Sequence, residues 1–530
     1  MEVSDDLRRP PVSIEASALT RCRHRVFLDA TFPHELAVAP ENPGARQRQE
    51  AAAAHREAIR QKLFDADPDG WVLIGPDGSA ARRAEQTLAA CRSGADRIWG
   101  AVLPLEPDTG RRGRSEILLR DRVNGGYIPV VVVNHKVTDP GRGATTTGLF
   151  EWAPAVDETR KVRSQIRDQM RVAHLHRMLE RHGLASPAQV AGAIGYGGDC
   201  VLVHDLSTIL DDYDTRLADR VEIARGRVRT EPSQIGECRT CPWWDRCRSE
   251  LTAGRDVSLV APGQRAEVLR ELGVRTIDGL AGWVGEPPEV WPQGPFEDAV
   301  VIAKAWLAGA PLVRRYRHVH VHRADIEVDV DMESYQEFGA YLWGTLLNGE
   351  APSEYQPFVT WLPVPTDDEA RSFAGFWRWL SDQRRTAERK GKTFAAYCYS
   401  RSAEDKWLLS SARRFHGFPG VPAEEEIKAF IGSPQWVDVY QAVTDQFVCP
   451  NGKGLKKIAP IAGHRWRDDE AGGEASMSWY RDAVGYDGPP DPTQRARLLE
   501  YNEDDVIATK ILREWMSERA VQEIPHIDDL

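Results

Sequence analysis

The chain of 530 residues is predicted to be an α/β protein in which two α/β units are joined by a helical connector. Three observations predict this class. Strand-like stretches alternate with amphipathic helices before residue 250, and the same alternation returns after residue 310. Between them, residues 257–282 show helical periodicity interrupted by a glycine. We therefore expect domains at 1–250, 251–310 and 311–530, a number of domains that this length favours.

The first unit is expected to begin with an Ala-rich helix over 47–63. Residues 114–137 predict strand, turn and strand, because the Asn-Gly pair at 124–125 is a strong hairpin signal between two apolar runs. A long amphipathic helix is expected at 157–181. Strand character returns from Ala193 onward.

The connector, 257–282, has the helix, glycine-bearing turn and helix of a helix–hairpin–helix element. The turn amides of such an element can hold a DNA phosphate. A plain helical linker fits the same residues. The Pro- and Gly-rich stretch 285–295 is expected to mark a boundary. The second unit is then expected to have strands at 319–330, 340–347 and 394–399, a helix at 367–389 and mostly helices beyond.

The composition is that of a globular protein. Hydrophobic residues make up 42% and charged residues 28%, which excludes disorder, collagen and coiled coil for the whole chain. The longest apolar run, 127–133, is far shorter than the about 18 residues that a membrane-spanning helix needs. The first ten residues contain early acids and no apolar run, so we expect no secretory signal. These features favour a cytoplasmic protein without membrane contact.

The net charge of −12 argues against a protein that coats duplex DNA through overall positive charge. It does not exclude an enzyme whose carboxylates hold metal ions, because such an enzyme can be acidic overall and carry a local basic groove. Basic residues are concentrated in three stretches, 111–122, 160–177 and 384–392.

The cysteines are unevenly placed. Eight cysteines are too few for a disulfide scaffold, which favours a reducing compartment. Cys238, Cys241 and Cys247 lie within ten residues in a C-x2-C-x5-C pattern, and Cys22 is the natural fourth ligand. Four thiolates select an iron–sulfur cluster or zinc. We favour the iron–sulfur cluster and keep zinc, or no metal, as alternatives.

Acidic residues alternate along HRADIEVDVDMES, as they do on one face of a half-buried strand. The acids of this face are Asp325, Glu327, Asp329, Asp331 and Glu333. Their mutual repulsion is tolerable if metal ions neutralise some of them, or if the outer ones are solvated. A solvated edge strand is the alternative for this stretch alone.

Near the C-terminus, Tyr501 and Asp505 lie four residues apart on one face of a predicted helix. A carboxylate one turn from a tyrosine, facing a strand D-x-E, suits a phosphodiester site with two divalent ions, Mg²⁺ or Mn²⁺. The ions would activate water and stabilise the leaving oxygen, and the tyrosine would orient the attacking water.

The cysteine pattern resembles that of RecB-like nucleases with a four-iron–four-sulfur cluster, which share one distant N-terminal cysteine and a C-terminal C-x2-C-x5-C group. The resemblance implies a restriction-endonuclease-like PD-(D/E)xK fold for the first unit. It also implies a [4Fe–4S] cluster on Cys22, Cys238, Cys241 and Cys247.

The same resemblance implies a degenerate nuclease site in this unit. His55 matches the family's helix histidine, Glu116 its first strand acid and Lys136 its lysine. Asn134 stands where the acid of the D/E-x-K motif belongs, and a neutral amide is a poorer ligand for a hard cation than a carboxylate. The helix motif Q-x3-Y is broken, since Gln169 is followed four residues later by an alanine. These departures imply a domain that grips DNA without cleaving it.

The second unit looks like the DEDDy class of 3′–5′ exonucleases on a ribonuclease-H-like fold. The first motif, D-x-E, matches Asp331 and Glu333, although Asp329 and Asp331 offer a second register. The third motif, Y-x3-D, matches Tyr501 and Asp505.

The second motif of that class departs from the pattern. Glu404 stands where an aspartate is usual, which moves the carboxylate by one methylene group. Asp405 is the neighbouring choice. Asp438 is a further acid that could join the site.

The order of these modules resembles that of the predicted RecB-family nucleases of bacteria that fuse them. The resemblance implies a metal-dependent nuclease, expected to be a single-strand 3′–5′ exonuclease in DNA repair or processing, with a helicase or repair protein as a partner. Two other hypotheses stay open: a non-catalytic nucleic-acid adaptor with decayed sites, and a nuclease active at the N-terminal site. RNA is a second candidate substrate.

Overall fold

The computed structural model describes residues 12–37, 43–163, 165–349, 352–470, 472–486 and 488–530. The first ten residues, where we expect no secretory signal, lie outside the described residues. The chain divides into two compact units, Met1–Gly254 and Arg255–Leu530. In the part of the chain that is described, no helix combines the length and apolarity needed to cross a membrane.

The first unit contains seven described helices and ten described strands. The helices are α1 (Arg23–Thr31), α2 (Pro33–Ala37), α3 (Pro43–Ala66), α4 (Ala80–Arg92), α5 (Ile166–Arg181), α6 (Leu210–Ala224) and α7 (Trp244–Ala253). The strands are β1 (Val72–Leu73), β2 (Arg97–Leu103), β3 (Gly113–Arg120), β4 (Tyr127–Val132), β5 (Thr138–Pro140), β6 (Ala144–Thr147), β7 (Ala155–Asp157), β8 (Arg160–Val162), β9 (Val190–Ile194) and β10 (Val201–Asp205).

Eight of these strands form one mixed sheet in the order β1-β2-β3-β4-β9-β10-β6-β7, and β5 pairs with β8. The predicted hairpin joins β3 to β4, and both Gly125 and Gly126 have a positive φ, which glycine adopts without steric cost. Apolar residues of α5 and α6 belong to the core on one face of the sheet. Ile59 and Leu63 of α3 belong to a second cluster with side chains of β3, β4 and β9.

The predicted helix over 157–181 is shorter than expected, because α5 begins at Ile166. Before α5, residues 155–157 and 160–162 form the strands β7 and β8. Asp157 explains the difference: its carboxylate accepts hydrogen bonds from the backbone N–H and the hydroxyl of Thr159, which closes a turn. Such local side-chain bonds compete with helix formation.

The second unit contains the remaining described helices and strands. The helices are α8 (Gln264–Glu271), α9 (Ile277–Ala281), α10 (Phe296–Ala308), α11 (Asp367–Arg389), α12 (Ser402–Arg414), α13 (Glu424–Ile431), α14 (Val439–Gln446), α15 (Leu455–Ile458), α16 (Gly473–Val484), α17 (Pro492–Glu518) and α18 (Ala520–Glu523). The strands are β11 (Val313–Arg314), β12 (Ile326–Tyr335), β13 (Gly339–Asn348), β14 (Glu354–Val359), β15 (Phe394–Cys398), β16 (Trp436–Asp438) and β17 (Phe447–Val448).

The connector has the predicted helix, turn and helix, as α8 and α9, but its surroundings differ from the expectation. The stretch 285–295 does not separate two cores, because Trp283 and Trp291 both pack against Phe296 of α10, with ring centroids 5.1 and 5.0 Å away. α8, α9 and α10 share one apolar cluster. The connector therefore belongs to the second compact unit, which begins at Arg255.

The sheet that positions the carboxylates has the order β14-β13-β12-β15-β16. β12 is antiparallel to β13 and parallel to β15. Alternate residues of β12 point to opposite faces. Val328, Val330 and Met332 join the cluster formed with α11, α12 and α13. The acidic residues lie on the other face, where α17 packs on β12.

Candidate metal centre

Three carboxylates meet where α17 crosses β12. Asp331, Glu333 and Asp505 each offer one oxygen, and these oxygens all lie within 4.8 Å of one another. The two strand residues share a face because they are two apart, and Asp505 reaches them from the helix. Among the described residues, no other group of three such side chains meets this distance.

The three carboxyl groups destabilise one another's ionised forms. Burial raises the pKa of Asp331 well above its usual range, and the charges of Asp505 and Glu333 raise it further. Burial and the Asp505 charge also raise the pKa of Glu333. Divalent cations would relieve this repulsion, and oxygen ligands are those that Mg²⁺ and Mn²⁺ prefer. The donor set therefore fits such ions.

Three side chains surround Asp505. Trp466 donates its indole N–H to Asp505 Oδ1 at 2.7 Å. The Lys456 ammonium lies 3.1 Å from the Tyr501 hydroxyl oxygen and 4.3 Å from the centre of that ring. Burial raises the pKa of Asp505, whereas the Lys456 charge and the Trp466 hydrogen bond oppose that rise. Tyr501 thus lies beside the carboxylates with its oxygen held by a cation.

Glu404 lies near this centre but outside the group of three. Its side chain is buried, and its Oε2 atom has no hydrogen-bond partner in the described structure. Burial raises the pKa of Glu404 to about 8, with further contributions from Asp438, Asp405 and Glu333. Asp405 is engaged elsewhere, because it accepts hydrogen bonds from Trp436 and Arg401.

Asp438 caps a helix. Its Oδ1 accepts hydrogen bonds from the backbone N–H groups of Tyr440 and Gln441 at the start of α14, and of Ser400 after β15. Its Oδ2 accepts a longer one from the Arg401 N–H. Asp438 therefore fixes the edge formed by the ends of β15 and β16, next to Glu404.

The two remaining acids of the strand, Glu327 and Asp329, are neutralised by arginines, which sequence reasoning missed. Arg513 of α17 pairs with both Asp329 and Glu327. Although burial opposes ionisation, the hydrogen bond from Arg323 and the Arg513 charge lower the pKa of Glu327 to about 2. Asp325 bonds to Thr393 before β15. The alternation was visible in the sequence, but the partner lies far along the chain.

Four of the six cysteines of the first unit line one cavity. Cys22 stands at the N-terminus of α1, and the cavity brings it together with Cys238, Cys241 and Cys247. Each is a free thiol in this structure. Burial raises the pKa of Cys247 to about 12, and the neighbouring thiols contribute to that rise. A bound metal centre would be needed to hold such thiols as thiolates.

Glu237 joins the two segments that carry the cysteines. Its carboxylate accepts a hydrogen bond from the Cys22 backbone N–H at 2.8 Å and pairs with Arg25 at 2.7 Å. Trp243 adds a hydrogen bond from its indole N–H to Asp29 in α1. These contacts explain why Cys22 lies beside cysteines more than two hundred residues later.

The four residues predicted for the N-terminal site do not form a metal centre among the described residues. Glu116 accepts hydrogen bonds from Arg171 on both carboxylate oxygens, at 2.8 and 2.9 Å. β4 ends at Val132, so Asn134 and Lys136 lie beyond the strand on which they were expected. Lys136 is exposed.

His55 packs against an aromatic side chain. Its ring stacks on Tyr196, with centroids 5.7 Å apart, and Nε2 has no hydrogen-bond partner in the described structure. Burial lowers the pKa of His55. The amide oxygen of Asn134 likewise lacks a partner.

One comparison with known proteins identifies part of the chain. A family model described as RNase_H superfamily matches residues 412–517. The matched segment includes Tyr501 and Asp505, whereas Asp331 and Glu333 precede it. No curated protein and no solved structure matches the chain. The C-terminal region therefore contains an RNase-H-like domain, which indicates nuclease-type hydrolysis of phosphodiesters and binding of nucleic acid in general.

Proposed function

We propose that the chain is a metal-dependent nuclease that degrades single-stranded DNA from its 3′ end in DNA repair or processing. The observation that carries the proposal is the meeting of Asp331, Glu333 and Asp505 within 4.8 Å at an RNase-H-like domain. These residues would hold Mg²⁺ or Mn²⁺. The bound ions would supply an activated water and stabilise the leaving oxygen.

The protein's own groups would position the substrate. Tyr501 presents a hydroxyl beside the carboxylates: its oxygen accepts from Lys456, and its O–H donates to Asp505. The same hydroxyl would orient a water or a phosphate oxygen when substrate and metal ions are bound. Lys456 places a positive charge beside the acidic group, where a scissile phosphate would need one. Glu404 is proposed as the acid of the second motif, within electrostatic reach of Glu333.

We propose that the first unit is a RecB-like domain that holds a [4Fe–4S] cluster and guides the strand. Cys22, Cys238, Cys241 and Cys247 share one cavity, which supports a common centre. Zinc is the alternative, but tetrahedral zinc with bonds of about 2.3 Å places its sulfurs about 3.8 Å apart. No three described cysteine sulfurs lie within 4.8 Å of one another, which favours the larger cluster.

The N-terminal site is proposed to bind without cleaving. The guanidinium of Arg171 occupies both oxygens of Glu116, where a metal ion would have to bind. Cysteines without disulfide bonds suit a reducing compartment, so the cytoplasm is the proposed location. A helicase or repair protein is the proposed partner.

Degradation of DNA labelled at either end tests the polarity and the substrate. With Mn²⁺ present, a 5′-labelled single strand should shorten progressively, whereas a 3′-labelled strand should release its label at once. The same strand made of RNA serves as the comparison. Release of a 5′ label first would contradict the proposed polarity, and faster loss of RNA would contradict the DNA preference.

A further inference from the structure

We propose that Asn502 is a positioning residue that orients the metal ligand Asp331, and that Tyr355 and Gly344 make this possible. The inference rests on the proposed function, because it assigns a role within the same carboxylate centre. Asn502 follows Tyr501 in α17, and its side chain is inaccessible to solvent.

The Asn502 amide is held at both ends. Its Nδ2 donates to Asp331 Oδ2 at 2.7 Å, and its Oδ1 accepts from the Tyr355 hydroxyl at 2.8 Å. When Asp331 binds a metal ion its carboxylate is ionised and can only accept, so the nitrogen of the amide must face it. The tyrosine hydroxyl then meets the amide oxygen as a donor. The orientation of the amide is therefore set by the network itself.

The sheet leaves space for this amide at one position. Gly344 of β13 pairs directly with Asp331 of β12. A Cβ atom on Gly344 would overlap Asn502 Oδ1. The residues that flank it in β13, Trp343 and Thr345, both carry larger side chains. The glycine and the asparagine thus fit each other across the site, one from the strand and one from the helix.

A neutral hydrogen-bond donor suits a metal-binding carboxylate better than a positively charged side chain does. Arg513 neutralises Asp329, and Arg171 neutralises Glu116, so neither of those carboxylates has its full charge left for a metal ion. The Asn502 amide bonds to a single oxygen of Asp331 and leaves the negative charge in place. It restricts rotation of the carboxyl group while the other oxygen stays available. Partners of this kind orient metal ligands and strengthen metal binding.

A purely structural role for Asn502 makes a different prediction. A buried amide that only satisfies its neighbours would contribute to folding, and its loss would lower stability without changing metal affinity. Asn348 provides the matched control, because its side chain is also buried and its Nδ2 donates to Asp329 Oδ2 at 2.9 Å. Asp329 is paired with Arg513 and is not a proposed metal ligand.

The test is a Mn²⁺ titration of the full chain, with free Mn²⁺ followed by its electron paramagnetic resonance signal. Binding at the carboxylate site is defined as the Mn²⁺ binding that is present in the wild type and lost in Asp505→Asn. We expect Asn502→Ala to weaken binding at that site by about 10- to 100-fold. Tyr355→Phe should weaken it less, because the amide remains but can turn. Asn348→Ala should lower the melting temperature and leave the affinity unchanged.

The outcomes distinguish a failure of the positioning role of Asn502 from a failure of the proposed nuclease function. Wild-type affinity in folded Asn502→Ala would overturn the positioning role. If that variant does not fold, Tyr355→Phe decides, and an unchanged affinity in it overturns the inference. Equal weakening in Asn348→Ala would also overturn it, because the effect would then be a general loss of packing. A wild-type protein without the Asp505-dependent Mn²⁺ would instead contradict the proposed function.

Discussion

Arg513 donates one hydrogen bond to each carboxylate oxygen of Asp329, both at 2.9 Å, and neither side chain is exposed to solvent. The pair joins α17 to β12. The same helix carries Asp505 and the same strand carries Asp331, so the ion pair and the metal centre depend on one relative position of these two elements.

We predict that Arg513→Ala destabilises the protein by about 3–5 kcal/mol, because it leaves Asp329 as a buried charge without a cation. Glu327 keeps its ion pair with Arg323. Urea denaturation of the metal-free protein measures this loss. Arg385→Ala is the control, since Arg385 pairs with Asp382 on the surface, and such pairs contribute less than about 1 kcal/mol. A loss in Arg513→Ala no larger than that of the control would contradict the interpretation.

We predict that Asp505→Asn abolishes hydrolysis and leaves the protein folded. Removing one of three mutually repelling carboxylates relieves repulsion in the metal-free protein, so its melting temperature should equal or exceed that of the wild type. Mn²⁺ should raise the melting temperature of the wild type and not of the variant, because a ligand stabilises the state that binds it. Unchanged hydrolysis would remove Asp505 from the mechanism.

We predict that Glu404 makes the metal-free protein less stable as the pH rises. Its pKa is about 8 in the folded protein and near its ordinary 4.5 when unfolded. Below both values the residue is protonated in either state and has no effect. Between them the unfolded chain releases the proton first, so the free energy of unfolding falls by up to ~1.4 kcal/mol per pH unit.

Urea denaturation in a chelator at pH 5, 6, 7 and 8 checks this sign. Glu404→Gln should gain stability relative to the wild type with each step up in pH. Glu425→Gln, which changes an exposed glutamate of α13, should follow the wild-type profile. Parallel profiles for the wild type and Glu404→Gln would contradict the prediction.

We predict that protein purified without oxygen is brown, absorbs at about 400 nm and contains iron. Cys238→Ser should lose both the absorbance and the iron. Cys91→Ser should keep them, because Cys91 lies in the apolar core of the first unit, away from the cavity. A colourless protein with one bound zinc would show that the alternative metal is the right one.

Local sequence patterns predicted several elements of this structure. The helix α11 occupies the predicted 367–389, because its Thr366 cap and apolar spacing are both local features. The acidic alternation of β12 and the Tyr501–Asp505 spacing follow from strand and helix periods, so three residues of the proposed centre could be named from their neighbours alone.

The features that the sequence analysis did not predict depend on partners that are distant along the chain. Asn502 could not be placed without the register that puts Gly344 opposite Asp331. The position of Arg513, two helical turns beyond Asp505, was a usable sign that it shares the same face of α17. The end of β4 before Asn134 depends on where its pairing with β9 stops, at Val132, which no local pattern marks.

The most direct test is the degradation of end-labelled single-stranded DNA in the presence of Mn²⁺ by three proteins: the wild type, Asp331→Ala/Glu333→Ala and Lys136→Ala. We predict that the wild type and Lys136→Ala degrade the strand equally and that the double variant leaves it intact. Degradation that persists in the double variant but stops in Lys136→Ala would place the chemistry in the first unit. No degradation by any of the three would contradict a nuclease and favour a nucleic-acid adaptor.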